Sequence, residues 1–182
     1  MDTPKITLRK GNVIVFEGDA IIIPSDVELT NKKANNIVHG LLEKDNNLLR
    51  EISSIGYCEM GNAVITRGYG LKAKHLIFLP YCDNDNEENK IDFVLLHKAL
   101  RSAFNLASLY EVSTIAVPVF RFKAVKLNFI EKILNIKIFR SLFGQEGNNG
   151  LNGLKEGEVE DIIISVSSEF KNTSIKEVSI YK

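Results

Sequence analysis

Apolar residues along this chain fall into short runs of strand character, separated by stretches with helical spacing. Asp19-Ala20-Ile21-Ile22-Ile23 is a near-continuous apolar run that meets Pro24. Such a run suits a strand buried on both faces of a sheet. Proline cannot donate to a ladder, so the strand is predicted to stop there. His75-Leu76-Ile77-Phe78-Leu79 has the same character and meets Pro80. Ile6 to Leu8, Asn12 to Phe16, Ala63 to Thr66, Thr114 to Val117 and Ile175 to Tyr181 read as further strands.

Helical spacing appears between them. Residues 34–44 place Ile37, Val38, Leu41 and Leu42 on one side, and residues 46–52 continue as a second piece. Gly56 and Gly61 punctuate its exit, and Gly68-Tyr69-Gly70 forms a turn. Residues 91–110 form a long helix, with Val94, Leu95, Leu100, Phe104 and Ala107 on its inner stripe. Residues 156–170 form the last, with Val159, Ile162, Ile163 and Val166 facing in. Strands alternating with helices imply a layered α/β domain.

Composition narrows the class. A chain of 182 residues fits one domain and can bury a core without metal or disulfide staples. Lys+Arg and Asp+Glu both number 23, which argues against a surface built for nucleic acid. Cys58 and Cys82 have no metal-ligand spacing and read as reduced thiols, pointing to the cytoplasm. His39, His75 and His97 share no metal spacing, so neither metal nor cofactor is expected. The opening MDTPKITLRKGN is not a signal peptide, and no apolar run reaches the roughly 20 residues of a spanning helix.

Four segments in order carry a family likeness. They are Gly11-Asn12-Val13 through Asp19-Ala20-Ile21-Ile22-Ile23-Pro24-Ser25-Asp26; Gly61-Asn62-Ala63-Val64-Ile65-Thr66 with the segment from Gly68 to Ile77; Ser113-Thr114-Ile115-Ala116-Val117-Pro118; and Gly150-Leu151-Asn152-Gly153-Leu154 leading into a helix. Together they resemble the macro domain, the fold that binds ADP-ribose. The resemblance implies a three-layer α/β/α domain with a mixed sheet flanked by helices. The last segment has physical merit of its own. Glycines let main-chain N–H groups face an anion, and the following helix adds a partial positive charge.

The resemblance places Asn12 and Val13 at an adenine position, where the family has an aspartate that accepts from the adenine amino group. An amide oxygen accepts too, but without the charge. It places Ser25 and Asp26 near the distal ribose, and Asp26 is the candidate base; capping a turn is the plainer role for that residue. Lys32 and Lys33 stand where the family has a run of glycines, and either meet phosphate with their side chains or simply face solvent. Pro118 and the segment from Gly150 to Leu154 complete the ligand-binding set. Ile23 stands where the family's hydrolases have an asparagine, which argues against their usual mechanism.

Residues 119–149 form an insertion foreign to the family. Within its stretch 120–143, Arg121, Lys123, Lys126, Lys132, Lys137 and Arg140 are set against one acid, Glu131, amid dense apolar residues. So much apolar surface must be covered. It folds back on the core, meets a second copy through residues 120–143, or lies on an acidic membrane surface; the apolar residues run nearly all round, which favours the first two. The leading expectation is a domain of 182 residues that binds ADP-ribose or a related nucleotide diphosphate without efficient hydrolysis. Alternatives are a scaffold that has lost its ligand and works through self-association or a partner, and an ADP-ribosyl hydrolase.

Overall fold

The computed structural model describes residues 2–29, 40, 45–82, 93–119 and 156–182. The elements run β1 (Lys5–Arg9), a 3-10 turn (Val13–Val15), β2 (Ala20–Asp26), α1 (Asn46–Ile55), β3 (Val64–Arg67), β4 (His75–Cys82), α2 (Phe93–Leu109), β5 (Thr114–Pro118), α3 (Glu156–Glu169) and β6 (Glu177–Tyr181). The strands form one sheet in the order β1-β6-β5-β2-β4-β3. It is mixed: β3 runs antiparallel to β4, and the other paired strands are parallel.

Two cores follow from the period of two along a strand. Ala20 and Ile22 of β2 face α2 and α3, in a cluster with Ile77, Leu79, Ile115, Val117, Val178 and Ile180. Ile21 and Ile23 face α1, with Leu48, Ile52, Leu76, Phe78, Ala116 and Tyr181. The apolar run read as buried on both faces is so: all seven residues of β2 are buried. Each large apolar side chain removed from water contributes about 1.5–3 kcal/mol, so this strand is the hydrophobic centre of the molecule. Val159, Ile162, Ile163 and Val166 of α3 face in as expected, each 0% exposed. The inner stripe of α2 differs at its start. It passes through Leu96, Ala99, Leu100, Ala103, Phe104 and Ala107, while Val94 is 42% exposed.

Three strand boundaries also differ from the sequence expectation. β2 continues through Pro24 to Asp26, and β4 through Pro80 to Cys82. The ladder of β2 to β5 ends at Ile21, and that of β3 to β4 ends at Phe78. Beyond those points each strand is laddered on one side, where a proline is tolerated. Asn12 to Phe16 is not a strand. Asn12 caps the 3-10 turn, its Oδ1 accepting from the Ile14 N–H at 3.0 Å. The β-branched run that suggested a strand bends because Gly11, at φ 121°, redirects the chain.

At the amino edge of the sheet Asp19 joins three strands. Its Oδ2 accepts from the amides of Ser113 (2.9 Å) and Thr114 (3.0 Å) before and at the start of β5. The Thr114 hydroxyl donates to the same oxygen at 3.3 Å, and Lys74, just before β4, donates to Oδ1 at 2.6 Å. Burial alone would raise this carboxyl, but the Lys74 ammonium and the two amides outweigh it and hold it below the usual carboxylate range. Gly18 permits the approach, since a Cβ there would lie 2.4 Å from the Phe16 ring and 2.7 Å from Thr114 Oγ1. The turn between β3 and β4 is equally tight. The Gly68 N–H donates to the Lys74 carbonyl at 2.7 Å, and a Cβ on Gly68 would fall 1.8 Å from the Ala73 carbonyl oxygen.

Two outcomes are expected. Gly68→Ala destabilises the fold by about 2 kcal/mol or more, whereas Gly70→Ala, whose Cβ would meet only Asp45 at 3.5 Å, changes the urea midpoint little. Asp19→Asn costs about 2 kcal/mol at neutral pH by removing the charge from a buried set of hydrogen bonds. Because the Asp19 pKa is depressed, its contribution is present above the ordinary carboxylate range and is lost as pH falls through it. Unfolding of Asp19→Asn should therefore show a shallower loss of stability between roughly pH 5 and pH 2 than the parent chain.

Candidate functional site

Because β1, β2, β4, β5 and β6 are parallel, their carboxyl ends lie along one edge of the sheet. The chain leaves β2 toward β4 on one side, and β5 toward β6 on the other. Ligands in open α/β sheets bind where the order reverses in this way. Here the two strands also part. Only Ala20–Ile115 and Ile21–Ala116 are in register between them. Past that point β5 stays with β6, through Pro118 opposite Tyr181, and β2 stays with β4, through Asp26 opposite Cys82. The edge is thus unpaired between the end of β2 and the end of β5, the place where open α/β sheets carry a crevice.

Ser25 and Asp26 end β2 at this unpaired edge, both 0% exposed. A register shift lies between them. The chain then turns sharply, with the Leu29 N–H donating to the Asp26 carbonyl at 3.1 Å. The turn-forming role read for Asp26 is thus real at the main chain. Leu29 holds φ 62°, a left-handed conformation that costs a leucine about 1 kcal/mol or more. Burial repays it: Leu29 is 0% exposed in the α1-side core. The Cys58 N–H donates to the Val27 carbonyl at 2.8 Å and pins the same turn from below. Burial, and then the charge of Glu59, push the Cys58 thiol up, which disfavours its thiolate, and Cys58 packs in the α1-side core.

Asn12 and Val13 follow Gly11, whose N–H donates to the Lys182 carbonyl just past β6 at 3.2 Å. Asn12 is exposed, and Val13, 3% exposed, packs in one cluster with Ile21, Ile23, Ala116 and Tyr181. Phe16 and Tyr181 meet edge to face beneath them, ring centres 6.4 Å apart. Sequence reasoning missed this aromatic pair, as it missed the role of Asp19; no local motif marks either. Pro118 lies at the end of β5, where the resemblance put it. The structure thus brings Ser25, Asp26 and Pro118 to one edge with Asn12 and Val13. Lys32, Lys33 and the segment from Gly150 to Leu154 lie outside the described residues, as do the helix read over residues 34–44 and all of the insertion but Val119. Among the described residues no cluster of His, Cys, Asp or Glu could hold a metal ion, and no helix is long and apolar enough to cross a membrane.

Comparison with known proteins agrees with this geometry. The family model described as Macro domain matches residues 42–128. The macro domain-containing protein TTE0995 of Caldanaerobacter subterraneus subsp. tengcongensis is 35% identical over 124 residues, which span 63% of this chain and 66% of that protein, just under two thirds of its length. Among solved structures, the macro domain of ganglioside induced differentiation associated protein 2 superposes with a TM-score of 0.68 at 18% identity, covering 97% of this chain and 76% of that one. The Trypanosoma brucei macrodomain in complex with ADP-ribose superposes with a TM-score of 0.65 at 16% identity, covering 97% of this chain and 62% of that one.

The capping bond of Asn12 is open to a simple check. Asn12→Ala should lower stability by about 1 kcal/mol, and Asn12→Asp, which caps equally well, should leave the thermal midpoint nearly unchanged.

Proposed function

The chain belongs to the macro domain family, and from that premise we propose that the unpaired carboxyl edge of its sheet binds ADP-ribose or a related nucleotide diphosphate without hydrolysing it efficiently. The observation that carries this reading is the early end of the β2–β5 ladder, which opens the carboxyl edge between Asp26 and Pro118. A solved relative of the same fold holds ADP-ribose. The segment from Gly150 to Leu154, leading into a helix, supplies residue types suited to a diphosphate.

In this reading Asp26 and Ser25 meet the distal ribose. A carboxylate oxygen accepts from ribose hydroxyls, and the strained, well-anchored turn at Leu29 holds it in place. The same charge near a diphosphate costs affinity, and the positive charges of Lys32 and Lys33 offset it. Ile23 is buried in the α1-side core and brings no polar group to the reacting bond. An apolar residue at that position supports binding better than turnover. The disfavoured thiolate of Cys58 fits the same conclusion.

Isothermal titration with ADP-ribose should give saturable heat with one site per chain, and ligand at about 100 times Kd should stabilise the fold by about 2.7 kcal/mol. Asp26→Ala should weaken ADP-ribose about 5- to 10-fold while leaving ADP, which lacks the distal ribose, no weaker than before. Incubation with ADP-ribosylated protein should release no ADP-ribose above background. Absence of heat and of any thermal shift at millimolar ADP-ribose would favour the scaffold reading, and steady release would favour the hydrolase.

A further inference from the structure

β1 is an outer strand of the sheet, and β6 is its one ladder neighbour among the described residues. Main-chain bonds at its two ends fix which groups that neighbour uses. The Lys5 N–H donates to the Lys176 carbonyl at 2.8 Å, and the Lys182 N–H donates to the Arg9 carbonyl at 2.9 Å. In a parallel ladder, alternate residues turn both N–H and C=O to the same neighbour. Lys5, Thr7 and Arg9 therefore bond β6. The N–H and C=O groups of Ile6 and Leu8 point the other way, along the outer edge, where a further strand can pair.

The two faces of this edge differ in chemistry. Ile6 and Leu8 stand in register with Val178 and Ile180, on the side of α2 and α3. Ile6 packs on that core, and Leu8 is left 57% exposed. Lys5, Thr7 and Arg9 take the opposite face, in register with Glu177, Ser179 and Tyr181. Glu177 accepts from Thr7 at 3.2 Å and from Arg9 at 3.3 Å. Lys5 and, just past the strand, Lys10 are exposed, and among the described residues no ion pair engages either. Residues 3–16 include no acid.

A second copy of this chain does not suit that edge. Two β1 strands paired antiparallel about Thr7 set Lys5 opposite Arg9 twice, and like charges directly opposite are destabilising. We propose that the outer edge of β1 takes an extended segment of a protein partner as an added strand, one whose residues alternate between acidic and apolar. The acids meet Lys5 and Arg9, and the apolar residues cover Leu8. Main-chain bonds to Ile6 and Leu8 set the register. The charges that turn away a second copy are the ones that select this partner.

The test titrates a fluorescently labelled peptide of about ten residues, alternating Glu and Val, into the full chain and follows its anisotropy. A peptide of the same composition, with all its Glu before all its Val, is the control. The alternating peptide should bind saturably and about 10-fold more tightly than the control. Leu8→Pro removes an outward N–H and spares the ladder to β6, since proline is tolerated where the missing donor faces out. That variant should fold and bind the alternating peptide about 10-fold more weakly. Lys5→Glu, at an exposed position, should weaken it about 5-fold at low salt. Equal binding of the two peptides would show attraction by charge alone and sink the added strand. So would no binding of either, or binding that neither variant alters. If Leu8→Pro does not fold, the outward direction of that N–H is wrong and the proposal falls.

Discussion

The carboxylate of Asp19 accepts four hydrogen bonds, and the arrangement of the central sheet follows from it. One oxygen gathers the amides of Ser113 and Thr114 and the Thr114 hydroxyl; the other takes the Lys74 ammonium. The Asp19 main chain adds a bond from the His75 N–H to its carbonyl, and its own N–H donates to Thr114 Oγ1. The strands on both sides of β2 are thereby fastened to it at the amino edge. A sheet fastened at one edge and not laddered at the other can diverge, which is how β2 and β5 stay aligned for two residues and then separate. The parting of the strands is a consequence of where the fastening is, at their amino ends.

The parting strands are stabilised by what lies on either face. Alternate residues of β2 enter two different cores, and each half of the sheet keeps its own neighbour after the split. Helices α2 and α3 are joined across their surface by Glu169, which takes His97 at 3.0 Å and Arg101 at 2.9 Å, and by Phe104 against Phe170 at 5.3 Å between ring centres. That layer spans the gap. The strain at Leu29 is held by burial in the other layer.

Much of this architecture was legible in residue patterns, because it depends on period and burial. The doubly buried β2, the inward stripe of α3 and the alternation of strand with helix follow from apolar spacing alone. The misread points share another cause. Pro24 and Pro80 end a strand only where both sides are laddered, and ladder extent is a tertiary fact. Asn12-Val13-Ile14-Val15-Phe16 has strand propensity, and the cap that overrides it requires Gly11 at positive φ. The start of α2 shifted from Val94 to Leu96 because two adjacent apolar stripes compete there. At the site, Ser25, Asp26 and Pro118 were found through likeness to a family, and their shared edge then follows from strand direction. The clamp at Asp19 left no local trace, since its partners lie 55 to 95 residues away.

The position of β1 has a consequence for how the protein is made. Its neighbour in the sheet is β6, and Thr7 bonds Ser179, which is 172 residues further along. β1 therefore waits for β6, made 172 residues later, before it can be seated. Until then Lys5, Arg9 and Lys10 keep that waiting strand charged and resistant to pairing with other chains. Long-range closure of this kind is slow, so synthesis through β6, rather than local folding, sets the moment at which the sheet is complete.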